Sequence, residues 1–521
     1  MAAQHPRTIV IGAGIGGLAT ALRLSHAGHA VQVFERHAAP GGKIRTVPSV
    51  AGPVDAGPTV VTLKRIFEQL FDDVGERLSD HLTLRAAPVI ARHFWKNGTT
   101  FDLCADPEAT MAEVERAFGA DAAGDYDRFR RRASALFQAF EPSMIETAAP
   151  SLTTLILQTL GRPSVLRQMT PFSSLETSLQ QQFREPKLAQ LFGRYATYVG
   201  GLPSRVPAIL SLISDAEAQG VWSIDGGIHQ LPLALEKLAE DRGATFHYNA
   251  DVTAILAEDG HVAGIICNGD RVLADAVVFN GDPLALADGA LGAEVTSLVS
   301  KRANAARSLS AQVMAFASRL PADGPKLSHH NVFFGDDSKT EFGPLERGGL
   351  PEKPTLYVCA QDRGGDAAPT DAERFEIIMN APPITVCEGQ PECHHMILKE
   401  LKDFGLTFLD EPKADSLTTP KIFDSLFPHS GGSLYGRSPH GMMAAFRRPT
   451  AKTALKGFYL AGGGVHPGAG IPMATLSGRH AAEAILKDRI STSMSRPADT
   501  PGGMSTASAT MERAPSRSSA S

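Results

Sequence analysis

The chain has 521 residues, 43% hydrophobic and 20% charged, with a formal net charge of −6. That length exceeds one simple core and predicts two or three domains. The negative balance argues against a nucleic-acid partner, and the absence of any run of 18 apolar residues argues against a transmembrane helix.

In chain order, Thr8-Ile-Val-Ile11 predicts a strand, reached within eight residues and with no signal-peptide pattern before it. Gly12-Ala-Gly14-Ile-Gly-Gly17 follows, then the helix-forming Leu18-Ala-Thr-Ala-Leu-Arg-Leu24, then Val31-Gln-Val-Phe34 ending on Glu35. A strand, a glycine turn, a helix and a second strand closed by an acid about 20 residues on form the pattern of a dinucleotide-binding fold. Gly12 permits the tight turn, Gly14 lets the backbone approach a pyrophosphate, and Gly17 lets the helix pack close to the strand. The helix N-terminus offers unpaired N–H groups and a positive dipole end to phosphates. Glu35 is placed to accept hydrogen bonds from a ribose.

Pro40-Gly-Gly42-Lys43-Ile-Arg45 is a second Gly-rich loop. Gly41 and Gly42 allow a backbone path closed to larger residues, and Lys43 and Arg45 bring positive charge beside the expected pyrophosphate. Such a loop is common in FAD enzymes and unusual in NAD enzymes, so the dinucleotide is read as FAD. The turn Asp55-Ala-Gly57-Pro58-Thr59 either shapes the flavin pocket or is a plain surface turn. Residues 151–169 place Leu152, Leu155, Ile156 and Leu160 along one helical face, followed by Arg162 and Arg167. That suits an interfacial helix at a membrane surface, and equally an ordinary helix packed on its own domain. Val206–Ile213, apolar with an early Pro207, is a candidate tunnel lining.

Farther on, residues 247–266 read as a short antiparallel insertion returning to a central strand, Ala276–Phe279, with Val252 placed to pack on the adenine. Asn280-Gly-Asp282 ends that strand at the carboxyl edge, where ligands of open α/β sheets bind. A last strand, Phe458–Ala461, runs into Gly462-Gly463-Gly-Val-His466-Pro-Gly-Ala-Gly470-Ile471-Pro472 and then a helix. Pro472 suits a first helical turn, and a helix N-terminus aimed at a flavin would stabilise negative charge on the reduced ring. The Ser, Ala, Thr and Pro-rich stretch from Ser491 to Ser521 is expected to be disordered. The five cysteines (Cys104, Cys267, Cys359, Cys387, Cys393) fit no common metal spacing; no metal is expected, and the thiols are read as free in a reducing cytoplasm.

These pieces together resemble the bacterial-type phytoene desaturase family within the FAD-dependent amine oxidase superfamily. The carrying residues are Gly12–Gly17, Gly41-Gly-Lys43, Asp55–Thr59 and Gly462–Pro472, with support from Arg194-Tyr-Ala-Thr-Tyr-Val-Gly200, Trp222-Ser-Ile-Asp-Gly-Gly227 and Gly432-Ser-Leu-Tyr-Gly436. Thr355-Leu-Tyr-Val-Cys-Ala-Gln-Asp-Arg363 is similar to the hydroxyneurosporene/methoxyneurosporene dehydrogenase branch. The resemblance implies an α/β fold. A Rossmann-like FAD-binding domain would be assembled from 1–80, 226–300 and 446–490. An inserted α+β substrate domain would span 81–225 and 301–445. It further implies a C40 carotenoid substrate and a peripheral place on the cytoplasmic side of the membrane; it leaves the electron acceptor, oxygen or a quinone, open. Two departures stand out. Gly463 and Gly464 occupy the strand-end turn where the wider superfamily often has an acid, and Met473 follows Ile-Pro where the family often has Gly.

The implied reaction introduces the 3,4 double bond into 1-hydroxy or 1-methoxy carotenoids by hydride transfer to flavin, so the protein chiefly aligns the reacting bond and excludes water. His466 and Arg194 are the candidate catalytic side chains. The bland readings are a turn cap for His466 and a structural ion pair for Arg194. Competing functions are phytoene desaturation, redox-neutral carotenoid isomerisation, and a non-catalytic lipid escort of the Rab GDP-dissociation-inhibitor kind.

Overall fold

The structure is a computed structural model, and it describes residues 5–160, 163–170, 172–304, 306–364, 371–384 and 390–494. A five-stranded parallel sheet forms its base, in the order Phe458–Leu460, Ala276–Phe279, Arg7–Ile11, Ala30–Phe34, Thr245–His247. The first strand is buried at four of its five positions, as a parallel strand covered on both faces requires. The first helix, Ile15–His26, packs on the last, Ile471–Met494, through small residues. A Cβ on Gly478 would lie 2.3 Å from the Gly16 carbonyl, and Thr20 Oγ1 donates to the Gly478 carbonyl at 3.1 Å.

The insertion read between residues 247 and 276 is an antiparallel sheet of Val252–Glu258, His261–Cys267 and Asp270–Leu273. A second large sheet has seven strands, in the order Leu417–Thr418, Ser310–Ser318, Glu373–Ala381, Leu356–Ala360, His330–Phe334, Val89–Trp95, Thr100–Cys104. Its strands alternate between two cores. Phe333, Val358, Phe375 and Ile377 face one way, toward the helix Gln390–Asp403. Val332, Phe334, Tyr357 and Cys359 face the other way, against helices that include Ala120–Phe140 and Pro186–Gly193.

The last helix runs farther than its sequence indicated. Ser491 to Met494 continue it, and residues 495–521 lie outside the described residues, as do Arg162 and Cys387. Among the described residues no helix is long and apolar enough to cross a membrane. The helix Leu152–Leu160 leaves Leu152, Ile156 and Leu157 on the surface, the last 67% exposed, and Phe172 just beyond it is 93% exposed.

Candidate active site

The two distant glycine loops meet. Gly12 turns at φ +96° and Gly462 at φ +100°, and one side chain lies between them. Asn280 Nδ2 donates to the Gly12 carbonyl at 3.1 Å. A Cβ added to Gly14, Gly16, Gly17 or Gly462 would come within 2.7 to 2.9 Å of the Asn280 amide. Gly462 N–H donates to Ser477 Oγ of the last helix at 2.7 Å. The sequence placed Asn280 only at a strand end; its clamping role follows from the parallel pairing of Ala276–Phe279 with both neighbours, which sets the residue after Phe279 beside both turns.

The first helix starts at Gly14 without a side-chain cap, so its leading N–H groups face the cradle. Glu35 is 5% exposed and its carboxylate accepts from Ala13 N–H (2.7 Å) and His37 N–H (2.9 Å). The chain at Ala250 returns to the Glu35 carbonyl at 2.9 Å, and Val252, buried, follows two residues on. Gly14 pairs in parallel with Gly41, and a Cβ on Gly42 would lie 3.2 Å from Gly14 Cα. The basic loop therefore lies against the phosphate turn.

Lys43 and Arg45, read as charge for a pyrophosphate, have other partners here. Lys43 Nζ donates to the Leu434 carbonyl at 2.6 Å. Arg45 donates to Thr418 Oγ1 at 2.7 Å and lies over the Phe423 ring. Lys43 belongs to a charge cluster with Arg307 and Arg448 around the single carboxylate of Asp282. Desolvation holds the Lys43 ammonium down to about 8 and the Arg448 guanidinium down to about 10. Arg448 also donates to the Gly463 carbonyl at 3.0 Å. Three cations on one acid leave a net positive site beside the second glycine loop.

The Asp55–Thr59 turn is packed between the basic loop and the seven-stranded sheet. A Cβ on Gly57 would lie 2.0 Å from the Lys43 carbonyl, and Pro58 after it sets the exit of the turn. The Asp55 carboxylate accepts from Ile228 N–H at 2.8 Å, and burial raises its pKa. Thr59 Oγ1 meets Tyr357 Oη at 2.8 Å, across to the seven-stranded sheet. On that sheet Glu376 is fully buried, with Asp55, Arg45 and Thr59 as neighbours, and neither of its oxygens has a partner in hydrogen-bond geometry. Arg45 Nε is likewise buried and unpartnered. Burial pushes Glu376 well above the usual carboxylate range, and the nearby Asp55 adds to this.

The two candidate catalytic side chains have different partners. His466 is 2% exposed; its Nε2 meets the Thr147 carbonyl at 2.8 Å and its ring stacks on His480. Gly470 precedes the last helix, with Ile471 and Pro472 buried in its first turn. Arg194 lies over the Tyr357 ring, 5.7 Å from guanidinium carbon to centroid, beyond Thr59. Glu376 carried no motif in the sequence, because a lone buried polar residue in a strand has none; Tyr357 lay in the Thr355–Arg363 stretch and Asn280 at a strand end, neither with a role assigned. His329 and His330 carried none either; their ligand-type atoms and that of Cys359 lie within 4.8 Å of one another.

A parallel dinucleotide sheet closed by strands from both ends of the chain, with a mixed sheet laid over its cradle, defines the class: a two-part dinucleotide-binding protein. The family follows from comparison. Residues 15–380 and 398–486 match the flavin containing amine oxidoreductases, and the chain belongs to that family. Its cofactor is FAD, and the cradle fits one. The uncapped helix and Gly14 would hold the pyrophosphate, Glu35 the ribose, and the positive site at Lys43 and Arg448, with the unpartnered Arg45 and Glu376 atoms, suits the polar edge of a flavin. The chain is 49% identical to hydroxyneurosporene desaturase of Cereibacter sphaeroides over 94% of its length and 99% of that protein. It is 47% identical to that of Rhodobacter capsulatus over 93% and 98%. The fold is also that of cyclohexylamine oxidase from Brevibacterium oxydans, with a TM-score of 0.57 at 15% identity, over 94% of this chain and 100% of that one.

Proposed function

We propose that this protein is an FAD-dependent carotenoid desaturase that introduces the 3,4 double bond into 1-hydroxy or 1-methoxy carotenoids such as 1-hydroxyneurosporene. The observation that carries this reading is end-to-end similarity, 49% over 94% of the chain, to a protein named for that substrate. The site supports it. The cradle offers glycine turns, Glu35 and nearby cations to an FAD, and the sheet face above Thr59 is apolar against its helices.

The substrate loses two hydrogens, one as hydride and one as a proton. FAD, when bound, accepts the hydride. The chain's own residues orient and exclude. Gly57 and Thr59 hold the turn against the sheet, and Val332, Phe334 and Ile90 present dry walls to a polyene. The exposed Leu152, Ile156, Leu157 and Phe172 supply an apolar face for a membrane surface, from which an insoluble substrate has to be drawn.

Anaerobic incubation of the FAD-loaded protein with liposomes holding 1-hydroxyneurosporene tests the reading. Flavin bleaching with a product two hydrogens lighter is expected. A product of unchanged mass points to isomerisation, and consumption of phytoene with hydroxyneurosporene ignored overturns the 3,4-desaturase assignment.

A further inference from the structure

Where the strand His330–Phe334 begins beside the end of Leu356–Ala360, three metal-binding side chains come together. His330 and Cys359 are direct cross-strand partners, which sets their Cβ atoms about 5 Å apart. His329 stands one residue before the strand. Its Nδ1–H donates to the Arg363 carbonyl at 2.6 Å. A carbonyl only accepts, so Nε2 keeps its lone pair, and that nitrogen lies 3.6 Å from Cys359 Sγ. One ring nitrogen of His330 closes the triangle, for the three ligand-type atoms all lie within 4.8 Å of one another. The His330 ring has a nitrogen to give: Nδ1 meets Tyr357 Oη at 2.7 Å, while Nε2 is buried without a hydrogen-bond partner.

A thiol and an imidazole at this distance also fit a plain S–H···N hydrogen bond. That bond needs one nitrogen, and here a second lies beside the same sulfur. A tetrahedral zinc, about 2.0–2.1 Å from nitrogen and about 2.3 Å from sulfur, spaces those two ligands about 3.6 Å apart. The fourth side is open. His329 and Cys359 both line a cavity of about 170 Å³, many times the roughly 10–15 Å³ that one water needs. The three arginines in its wall, Arg85, Arg363 and Arg374, are paired with Asp225, Glu373 and Asp362. Asp55 lies in the same wall, and Glu376 is the partner of Cys359 on the next strand. Burial, with these two acids nearby, holds the Cys359 thiol well above its usual range, and a cation relieves that repulsion.

We propose that His329, His330 and Cys359 bind one divalent ion of the zinc class, with water from the cavity as the fourth ligand. Three protein ligands and a water make the open form of a zinc site. The Arg363 carbonyl on His329 is the kind of partner that orients a metal-bound imidazole. Binding releases the thiol proton to solvent and leaves a thiolate on the metal. The ion ties the two strands together behind the Thr59–Tyr357 contact, and this holds whether or not the substrate is a carotenoid.

The full chain, FAD-loaded and freed of any tag, is stripped with a chelator and titrated with zinc, and bound metal is counted by mass spectrometry. One zinc per chain is expected. Cys359→Ser and His329→Gln each weaken binding about tenfold or more. Cys104→Ser, at the least buried of the described thiols, leaves it unchanged. Cobalt in place of zinc reports the sulfur directly: wild type and Cys104→Ser gain a thiolate-to-cobalt absorption band in the difference spectrum, and Cys359→Ser does not. A wild type that binds no zinc overturns the proposal. So does an affinity that is the same in Cys359→Ser, cobalt bound without the thiolate band, or a band lost in Cys104→Ser, since each places the ion elsewhere. If Cys359→Ser does not fold, the cobalt band in wild type and its weakening in His329→Gln carry the test, and a band untouched in His329→Gln overturns the site.

Discussion

Gly17→Ala tests the cradle at its tightest point. A Cβ there would lie 2.1 Å from the Gly12 carbonyl oxygen and 2.9 Å from Asn280 Nδ2. A close carbon–oxygen contact is about 3.3 Å, so roughly 1 Å of displacement is needed. The atoms that must yield are the turn itself, held at φ +96°, and Asn280, which is bonded to it. Overpacking of this kind costs about 1–3 kcal/mol. Placed at the phosphate turn, about 2 kcal/mol raises the FAD dissociation constant some 30-fold. Gly28→Ala is the control. It carries a left-handed strain at φ +83° that Gly17, inside a helix, does not, but its Cβ would meet nothing within 4 Å, and it is remote from the cradle. Both variants are purified, their flavin-to-protein absorbance ratios compared, and FAD titrated into each apoprotein by fluorescence quenching. Gly17→Ala is expected to come off the column depleted of flavin and Gly28→Ala loaded. Full flavin content and an unchanged dissociation constant in Gly17→Ala would refute the reasoning.

Two further predictions concern buried charge. Glu376 has its pKa raised in the fold, mainly by burial. The neutral form therefore stabilises the protein below the unfolded value of 4.5, and that contribution is lost as pH rises toward the folded pKa. Glu376→Gln is expected to melt at a higher temperature than wild-type apoprotein at pH 8, with the gap closing toward pH 5; its pH slope cannot exceed about 1.4 kcal/mol per unit, and a gap independent of pH contradicts the assignment. Arg307 and Asp282 form an ion pair with both side chains only 8% exposed, and removing one partner of such a pair typically costs about 3–5 kcal/mol. Because Lys43 and Arg448 also face Asp282, Arg307→Met is expected at the low end, about 3 kcal/mol, read from the urea midpoint; a loss below about 1 kcal/mol places the pair with surface bridges instead.

Much of the cofactor site is legible in local sequence because its demands are local. Gly12 and Gly462 are needed where the backbone turns through positive φ, Gly57 where a carbonyl comes within reach of any Cβ, and Glu35 closes the second strand one helix later. Each requirement leaves a mark within a few residues of itself. Strands such as Ala276–Phe279 and Phe458–Leu460 were readable for the same reason, since a parallel strand covered on both faces is apolar throughout.

Contacts made across the fold leave no such mark. Asn280 clamps two loops some 450 residues apart only because Ala276–Phe279 pairs with both flanking strands. Lys43 and Arg45 promised charge to a phosphate by their position, and the fold gave them Leu434, Thr418 and Phe423. His466 stood beside a glycine loop, and packing turned its ring to His480. Arg194 was one of the two candidate catalytic side chains, and the fold set its guanidinium over the Tyr357 ring. The sequence by itself determined that a dinucleotide binds and where the turns require glycine, because steric limits act on each residue alone. Only the tertiary structure decided which polar groups are left buried and unpaired, because burial is a property of the whole packed chain.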